Sequence, residues 1–406
     1  MLSTKLKEIS LEYCQKYQEN GIVIDLKQLS NTARAAANEA KDNYLKLTSP
    51  KTCFKEVYLT HWVREVLDRD FVLRTLIPID YKNPPPEPHL QTMVDYFSLL
   101  PLKLIRRLNQ KINNTSPADR KKLWKSLDFP VEEANDKFAK LILARRNYFS
   151  EKRQLPLPEM FLKQFKIPRN AYQEFIQNKN EIIDWCNEFL PDVGKLPSWF
   201  HSELNLPCYL CRLSEFPFRN FKEVIDFVFQ KYSSFSVFKS KVKIKMGEVT
   251  HVKYKKKTDS FLITIDKYAN FRHQAIGLIH ELGHVISFLK DFQNHLDPLE
   301  KGKYYGEKNA IKIQFSVLKD LSENLFRASL VEVLLTFWKI MFEMNLYKNP
   351  NQDIGKLYAD TFNTCFKGSN QKRNPFYLLN EAIITSPFSS LPHAVAYYKI
   401  LSLKLS

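Results

Sequence analysis

The sequence predicts a mainly helical protein in two lobes, with a small antiparallel β-sheet placed just before a helix that carries two histidines and an acid. Three observations carry that expectation. Apolar residues recur at helical spacing through most of the first 230 positions. A period of two replaces it between residues 237 and 265. The 3.6-residue period returns from Phe271 onward. The expected division is a helical lobe over 1–235 and a second region, sheet plus helices, over 236–406.

Composition narrows the function classes. With 406 residues and 44% hydrophobic content the chain can bury a core without disulfide or metal staples. Only 9 Gly are present, so Gly-rich nucleotide loops lack raw material. Charges interrupt every stretch of about twenty residues, so no membrane span is expected. Met1 to Asn20 has Lys and Glu every few residues and no apolar core, unlike a secretory signal. Six scattered Cys (14, 53, 186, 208, 211, 365) read as free thiols in a reducing compartment, and the cytoplasm is the expected location. The net charge of +17 comes from dispersed Lys without Arg clusters, which favours solubility and attraction to anions over nucleic-acid readout.

In chain order, Leu2, Leu6, Ile9 and Tyr13 mark one helical stripe and Phe138, Leu141, Ile142, Arg145 and Phe149 another. Pro84-Pro85-Pro86-Glu87-Pro88 is a stiff break, and Ser116-Pro117-Ala118-Asp119 reads as a helix N-cap with Pro in the first turn. Lys239, Lys241, Lys243 and Lys245 alternate with Ser240, Val242, Ile244 and Met246, which predicts a strand with all four ammonium groups on one face. Gly247-Glu248 reads as the turn, Val249 to Lys255 as the returning strand, and Ser260 to Ile265 as a third strand with an exposed edge on which an extended peptide could add. A helix follows through Ile276, Ile279, Gly283, Ile286 and Leu289, then an apolar run from Phe315 to Met344, and a final helix over His393 to Leu403.

The first of those helices contains His280-Glu281-Leu282-Gly283-His284. Histidines four apart stand one turn above each other, so both imidazoles can reach one ion about 2 Å away, with Glu281 beside them to hold a water. A catalytic zinc needs a third protein ligand and an open fourth position. Glu300, Glu307, Glu323 and Glu332 lie downstream. Glu332 is preferred, because it is the only acid in the apolar stretch 328–342 and would be costly to bury without a cation. Glu323, in a more polar stretch, is second, and Glu307 or another acid comes last. Two imidazoles and a carboxylate suit Zn²⁺ better than Mn²⁺ or Co²⁺. His273 and His295 lie more than one turn away along the same stripe and are expected in wall or surface roles. Cys208-Tyr209-Leu210-Cys211, near His201, is a lone pair without the second pair of a structural zinc site.

The segment Thr264 to His284 resembles the strand-to-helix transition of the thimet oligopeptidase and oligoendopeptidase F superfamily of zinc metallopeptidases and its carboxypeptidase Taq relatives, including the Gly before the second His. Glu332 to Phe337 (EVLLTF) is similar to the family's EVASTF segment, whose Glu is the third zinc ligand. Leu391 to Tyr398 (LPHAVAYY) resembles its C-terminal His and Tyr segment, which stabilises the oxyanion. The resemblance covers roughly 240–406, and it departs from the family in two places. From His284 to Glu332 is 332 − 284 = 48 residues, about twice the usual separation, and Val395 stands where a Tyr is often found, so His393 aligns while Tyr397 and Tyr398 fit only with a slip of register.

The resemblance implies a zinc-dependent hydrolase of short or unfolded peptides. His280, His284 and Glu332 would be the metal ligands, Glu281 the base, and His393, Tyr397 or Tyr398 the oxyanion donors. The competing expectation is a scaffold that captures peptides or nucleic acid without hydrolysis. Oligomeric state and cleavage preference leave no signature.

Overall fold

The computed structural model describes residues 157–190, 216–247, 250–255, 260–267, 269–293, 302–373, 376–379 and 387–405, with positions 132, 135, 136, 138–143, 145, 146 and 383. The N-terminal helical stripe, the proline break at 84–88, the cap at 116–119, the turn at Glu248, Cys208, Cys211, His201, His295 and Glu300 lie outside the described residues. By contacts the chain forms two compact units. One is Met1–Val94 with Phe288–Lys301, of which only 288–293 are described. The other, Asp95–Ser287 with Gly302–Ser406, contains everything below except the last six residues of the helix at 271–293, and the expected boundary at 235/236 falls inside it.

In chain order the described elements are α1 (Leu157–Phe165), α2 (Arg169–Phe189), α3 (Phe221–Lys231), a 3₁₀ segment (Ser233–Lys241), β1 (Val242–Gly247), β2 (His251–Lys255), β3 (Ser260–Asp266), α4 (Phe271–Gln293), α5 (Gly302–Leu321), α6 (Glu323–Lys348), α7 (Ile354–Cys365), a 3₁₀ turn (Phe376–Leu379) and α8 (Leu391–Leu405). The architecture is mostly helical with one small sheet. Helix starts follow local chemistry. Asn220 accepts from the Glu223 N–H while Glu223 accepts from Asn220 Nδ2 and the Arg219 N–H, a reciprocal cap on α3. Asp353 caps α7 through the Lys356 N–H. No described helix is long and apolar enough to cross a membrane.

The sheet corrects three expectations. Its order is β1-β3-β2, with β3 parallel to β1 and antiparallel to β2, so it is mixed rather than antiparallel. The physical reason is in β3 itself. Phe261, Ile263 and Ile265 are buried, and so are Ser260 and Thr264 on the other face, so this strand takes the centre while the Lys-bearing strands take the rims. β3 therefore has no free edge for a peptide, and the free edges among the described strands belong to β1 and β2. The lysine row is also broken. Lys239 and Lys241 lie in the 3₁₀ segment, Lys239 paired to Asp226 at 2.5 Å, and only Lys243 and Lys245 stand on β1. The strand begins at Val242 because Val242, Ile244 and their partners Phe261 and Ile263 supply the first apolar register.

The helices pack around α6, which contacts α2, α5, α7 and α8. It is buried on several sides, through Leu330, Val331, Val333, Leu334, Phe337 and Trp338. Each such side chain contributes roughly 1.5–3 kcal/mol of burial. The apolar run from Phe315 to Met344 is not one helix. It breaks at Ser322, whose extended backbone (φ −171°) separates α5 from α6. The stripe at Phe138, Leu141 and Ile142 is fully buried, as its period predicts, and Arg145 is buried with it. Of the six cysteines, Cys186 and Cys365 are described, and both are buried free thiols.

Candidate metal centre

Helix α4 starts at Asn270, whose side chain accepts from the His273 N–H at 3.0 Å. Ala275, Ile276, Leu278, Ile279, Leu282, Val285 and Ile286 form its buried face. His280 and His284 lie on the stripe turned toward α5 and are partly exposed, while Glu281 is 7% exposed. Gly283 explains how α5 comes so close. A Cβ there would stand 2.8 Å from the Ala310 carbonyl oxygen and 3.0 Å from its Cα, so any larger residue would push α5 away. Asn309 Nδ2 donates to Ser287 Oγ at 3.0 Å, a second tie across the same seam.

That seam brings Glu307, on the second turn of α5, against the histidines. Its Oε2 lies 3.3 Å from His280 Nε2, 3.3 Å from His284 Nε2 and 3.0 Å from His393 Nε2. Ligand atoms of His280, Glu307 and His393 all lie within 4.8 Å of one another. Glu332, the preferred third ligand, is not part of this group. It sits half-buried on α6, beside Tyr397. Glu323 is on the α6 surface, 3.3 Å from Arg327 Nε. The correction is geometric. Burial cost singled out Glu332 as an acid in a greasy helix, but partial exposure spares it that cost, and the carboxylate that is buried among imidazoles is Glu307, 7% exposed.

Electrostatics follow from this clustering. Burial alone would raise the Glu307 carboxyl, but the imidazoles of His393, His284 and His280 hold it well below the usual carboxylate range. Burial would push His280 down, yet Glu307, aided by the Glu281 charge and Gln314, lifts it to about 9. His393 goes the other way, because burial, with the nearby Lys303 and His280, outweighs the pull of Glu307.

Two residues escaped the sequence reading. Gln314, 2% exposed, accepts at Oε1 from His280 Nδ1 at 3.0 Å, which fixes that ring's tautomer and leaves Nε2 free. Gly306 lies against the His284 ring, where an added Cβ would stand 3.8 Å from Nδ1. Gly306, Glu307, Ala310 and Gln314 share one face of α5, and a polar residue at i and i+7 on an otherwise buried stripe was the available signal.

The tail segment divides cleanly. Tyr397 stacks on Phe315 of α5, and burial, with Glu332 and Glu307, holds its phenol well above the ordinary range. Tyr398 turns to α2, where its hydroxyl accepts from Asn178 Nδ2 at 3.2 Å and its ring meets Phe175. His393 and Tyr397, four apart on α8, therefore share the face toward Glu307, and Tyr398 does not. His273 is outside the cluster, its Nδ1 buried without a hydrogen-bond partner.

The donor set fits a divalent cation. Glu307 Oε2 is buried and has no hydrogen-bond partner although three ring nitrogens stand around it, an arrangement a cation between them would satisfy. Imidazole nitrogen and carboxylate oxygen are the donors zinc favours.

No protein-family model matches the chain, and no curated protein does. The solved structures include one similar chain, a crystal structure described as "putative oligoendopeptidase F from Bacillus anthracis str. Ames". It is 11% identical with a TM-score of 0.46, over 100% of this chain and 96% of that one. At that distance the likeness bears on neither the site nor its chemistry.

Proposed function

We propose that this protein is a metal-dependent peptidase, in which His280, His284 and Glu307 hold a zinc ion and Glu281 is the general base. The observation that carries the reading is the meeting of both HExxH imidazoles on one buried carboxylate oxygen that has no hydrogen-bond partner. When bound, such an ion polarises a peptide carbonyl and lowers the pKa of water next to it. Glu281, one residue after the first histidine and buried, takes the proton of the attacking water and passes it to the leaving amine. Tyr397, kept protonated by its buried setting, is available as a hydrogen-bond donor to the developing oxyanion. Gln314 keeps the His280 ring aimed.

The substrate is a short or unfolded peptide, and its backbone would pair along a rim strand of the sheet, β1 or β2, instead of β3. Replacing Glu281 with Gln tests the proposal. The variant should retain one zinc per chain and lose about 10²–10⁴-fold in turnover of a mixed peptide pool. Full activity in that variant, or activity indifferent to a chelator in the wild type, would end it. A zinc-loaded wild type that binds peptides but leaves them uncut would favour the capture scaffold.

A further inference from the structure

We infer that the free edge of β1 is a docking site for an extended segment of a partner polypeptide in which acidic and apolar residues alternate. The site shares no residue with the metal centre and requires neither the ion nor Glu281. Among the described strands, β1 pairs with β3 on one side only. Successive residues of a strand turn their N–H and C=O groups to opposite edges. The Gly247 carbonyl accepts from the Lys267 N–H, just past the end of β3, so Gly247, Lys245 and Lys243 address β3. Val242, Ile244 and Met246 therefore present theirs outward. The Val242 N–H already donates to the Lys239 carbonyl, which leaves the Val242 carbonyl and both groups of Ile244 and Met246 for a partner strand.

The two faces of that edge differ in chemistry. On one, Val242 and Ile244 line a cleft of about 570 Å³ together with Phe221 and Ile225 of α3. Met246, 47% exposed, follows on the same face of the strand, and Val237, 73% exposed, stands in the 3₁₀ segment that supplies another wall. Only two other large apolar side chains among the described residues are exposed, Leu143 and Leu403, so exposed apolar surface gathers at this edge. On the other face stand Lys243 and Lys245, both exposed and neither partnered by an acid among the described residues. Across β3, exposed Lys253 pairs with Leu262, the same residue that Lys243 faces, and extends the ammonium row over the sheet.

These features select the occupant. An antiparallel strand added here pairs one residue with Ile244 through two backbone hydrogen bonds and sends that residue's side chain into the cleft. Its neighbours on either side fall opposite Lys243 and Lys245, with Cβ atoms about 4.5–5.5 Å apart, and a carboxylate at each is the complement. The pattern recognised is acid–apolar–acid. A second copy of this chain does not suit the edge, since its own β1 would set lysine against lysine. A nucleic acid would use the charge, but it cannot continue a β-ladder and has no aliphatic side chain for the cleft.

Fluorescence anisotropy on the full chain, kept metal-free with chelator so that nothing is cut, tests the site with the labelled peptide Ser-Val-Glu-Val-Glu-Val-Ser. One peptide per chain should bind. Methylating the central Val nitrogen removes a donor to Ile244 and should weaken binding about tenfold or more. Exchanging both Glu for Lys should do the same. The double substitution Lys243→Glu with Lys245→Glu should reverse the preference, so that the Lys peptide binds better than the Glu peptide. Lys253→Glu changes net charge as much as Lys243→Glu, but it lies three strand spacings from the bound segment, about 14 Å against a screening length of about 8 Å, and should alter affinity by less than about twofold. Four results would each overturn the site: equal binding of the Glu and Lys peptides, equal losses from Lys253→Glu and Lys243→Glu, self-association of the chain that excludes the peptide, or displacement by single-stranded DNA as effective as by unlabelled peptide. Absence of saturable binding below about 1 mM would do so too. Because substitutions in the peptide decide the matter alone, a variant that fails to fold leaves the test intact. None of these outcomes bears on zinc or turnover, so the peptidase reading is judged separately.

Discussion

Two acids are buried on neighbouring helices, and their surroundings differ in kind. Glu343 on α6 is 3% exposed and its Oε1 accepts the Phe388 N–H, in a pocket shared with buried Arg145 and Tyr347. Arg145 donates to the Tyr347 hydroxyl and to the Ile383 carbonyl. Glu307 on α5 is 7% exposed, has three imidazoles around one oxygen, and that oxygen accepts no hydrogen bond. The first carboxylate is satisfied by the protein and serves the fold. The second is surrounded by three imidazoles, each a good metal ligand, and its Oε2 is left without a hydrogen-bond partner, a lack that a bound cation would satisfy.

The comparison breaks most visibly on removing each acid. Glu307→Gln should abolish zinc binding and peptide turnover together, since it removes a direct ligand, while Glu332→Ala should keep zinc. Metal analysis after gel filtration separates them. The reverse result would return the third ligand to α6 and sink the assignment. Glu343→Ala should do the opposite of Glu307→Gln. It leaves the buried Phe388 N–H without its acceptor and should lower the unfolding free energy by about 1–3 kcal/mol in denaturant titration, with zinc per folded chain unchanged.

What could be read from residues alone divides along the same line between local and distant. The HExxH helix was legible because its two histidines are one turn apart and Asn270 caps it locally. The three strands were legible as strands, but not their order, because the centre goes to the strand buried on both faces, and β3, with Ser260 and Thr264 buried opposite Phe261, Ile263 and Ile265, does not read that way from polarity alone. The acid that meets the histidines differs from the one the sequence favoured, for a physical reason. The run from Phe315 to Met344 hides the break at Ser322, so α5 was not seen as a separate helix able to turn its Glu307 face to α4. The spacing did hold the information. From His284 to Glu307 is 307 − 284 = 23 residues, about half the 48 that made Glu332 awkward. Gln314 was missed because a polar side chain on an amphipathic helix reads as surface until its register with Glu307, seven residues before, is counted.

The acidity of His280 sharpens the contrast next. Its folded pKa of about 9 lies above the ordinary 6.5, held there mainly by Glu307 against the effect of burial. In zinc-free protein this coupling stabilises the fold fully below pH 6.5 and is lost as pH rises through 9. Its size is on the order of 3 kcal/mol at most. Thermal melts in chelator should therefore fall between those pH values, and the fall should vanish in Glu307→Gln. Zinc affinity should move the opposite way, rising up to about tenfold per pH unit over the window as one proton is displaced. A zinc affinity independent of pH there would contradict the His280–Glu307 coupling.

Gln314→Leu tests a smaller effect on the same side. Without its acceptor, the His280 ring can adopt either tautomer, and only one presents the Nε2 lone pair. Zinc affinity should drop about 10–100-fold while the imidazole count stays the same, since orientation and not ligation is lost. Gln314→Glu supplies a stronger acceptor of the same length and should restore affinity. If Leu and Glu behaved alike, the hydrogen bond would have no bearing on the metal.

The smallest effect belongs to Glu323, the acid that sequence reasoning ranked above Glu307. It is exposed in the first turn of α6, where it meets the helix dipole favourably and pairs with Arg327 one turn on. Such surface pairs are worth roughly 0.2–1 kcal/mol and are screened by salt. Glu323→Ala should thus lower stability by under about 1 kcal/mol at low salt, less at high salt, with zinc content and turnover untouched. Charge on a helix surface and charge beneath it differ in this respect. Water and mobile ions already satisfy Glu323, and the same substitution that is nearly silent there removes at Glu307 the one acid that the three imidazoles share.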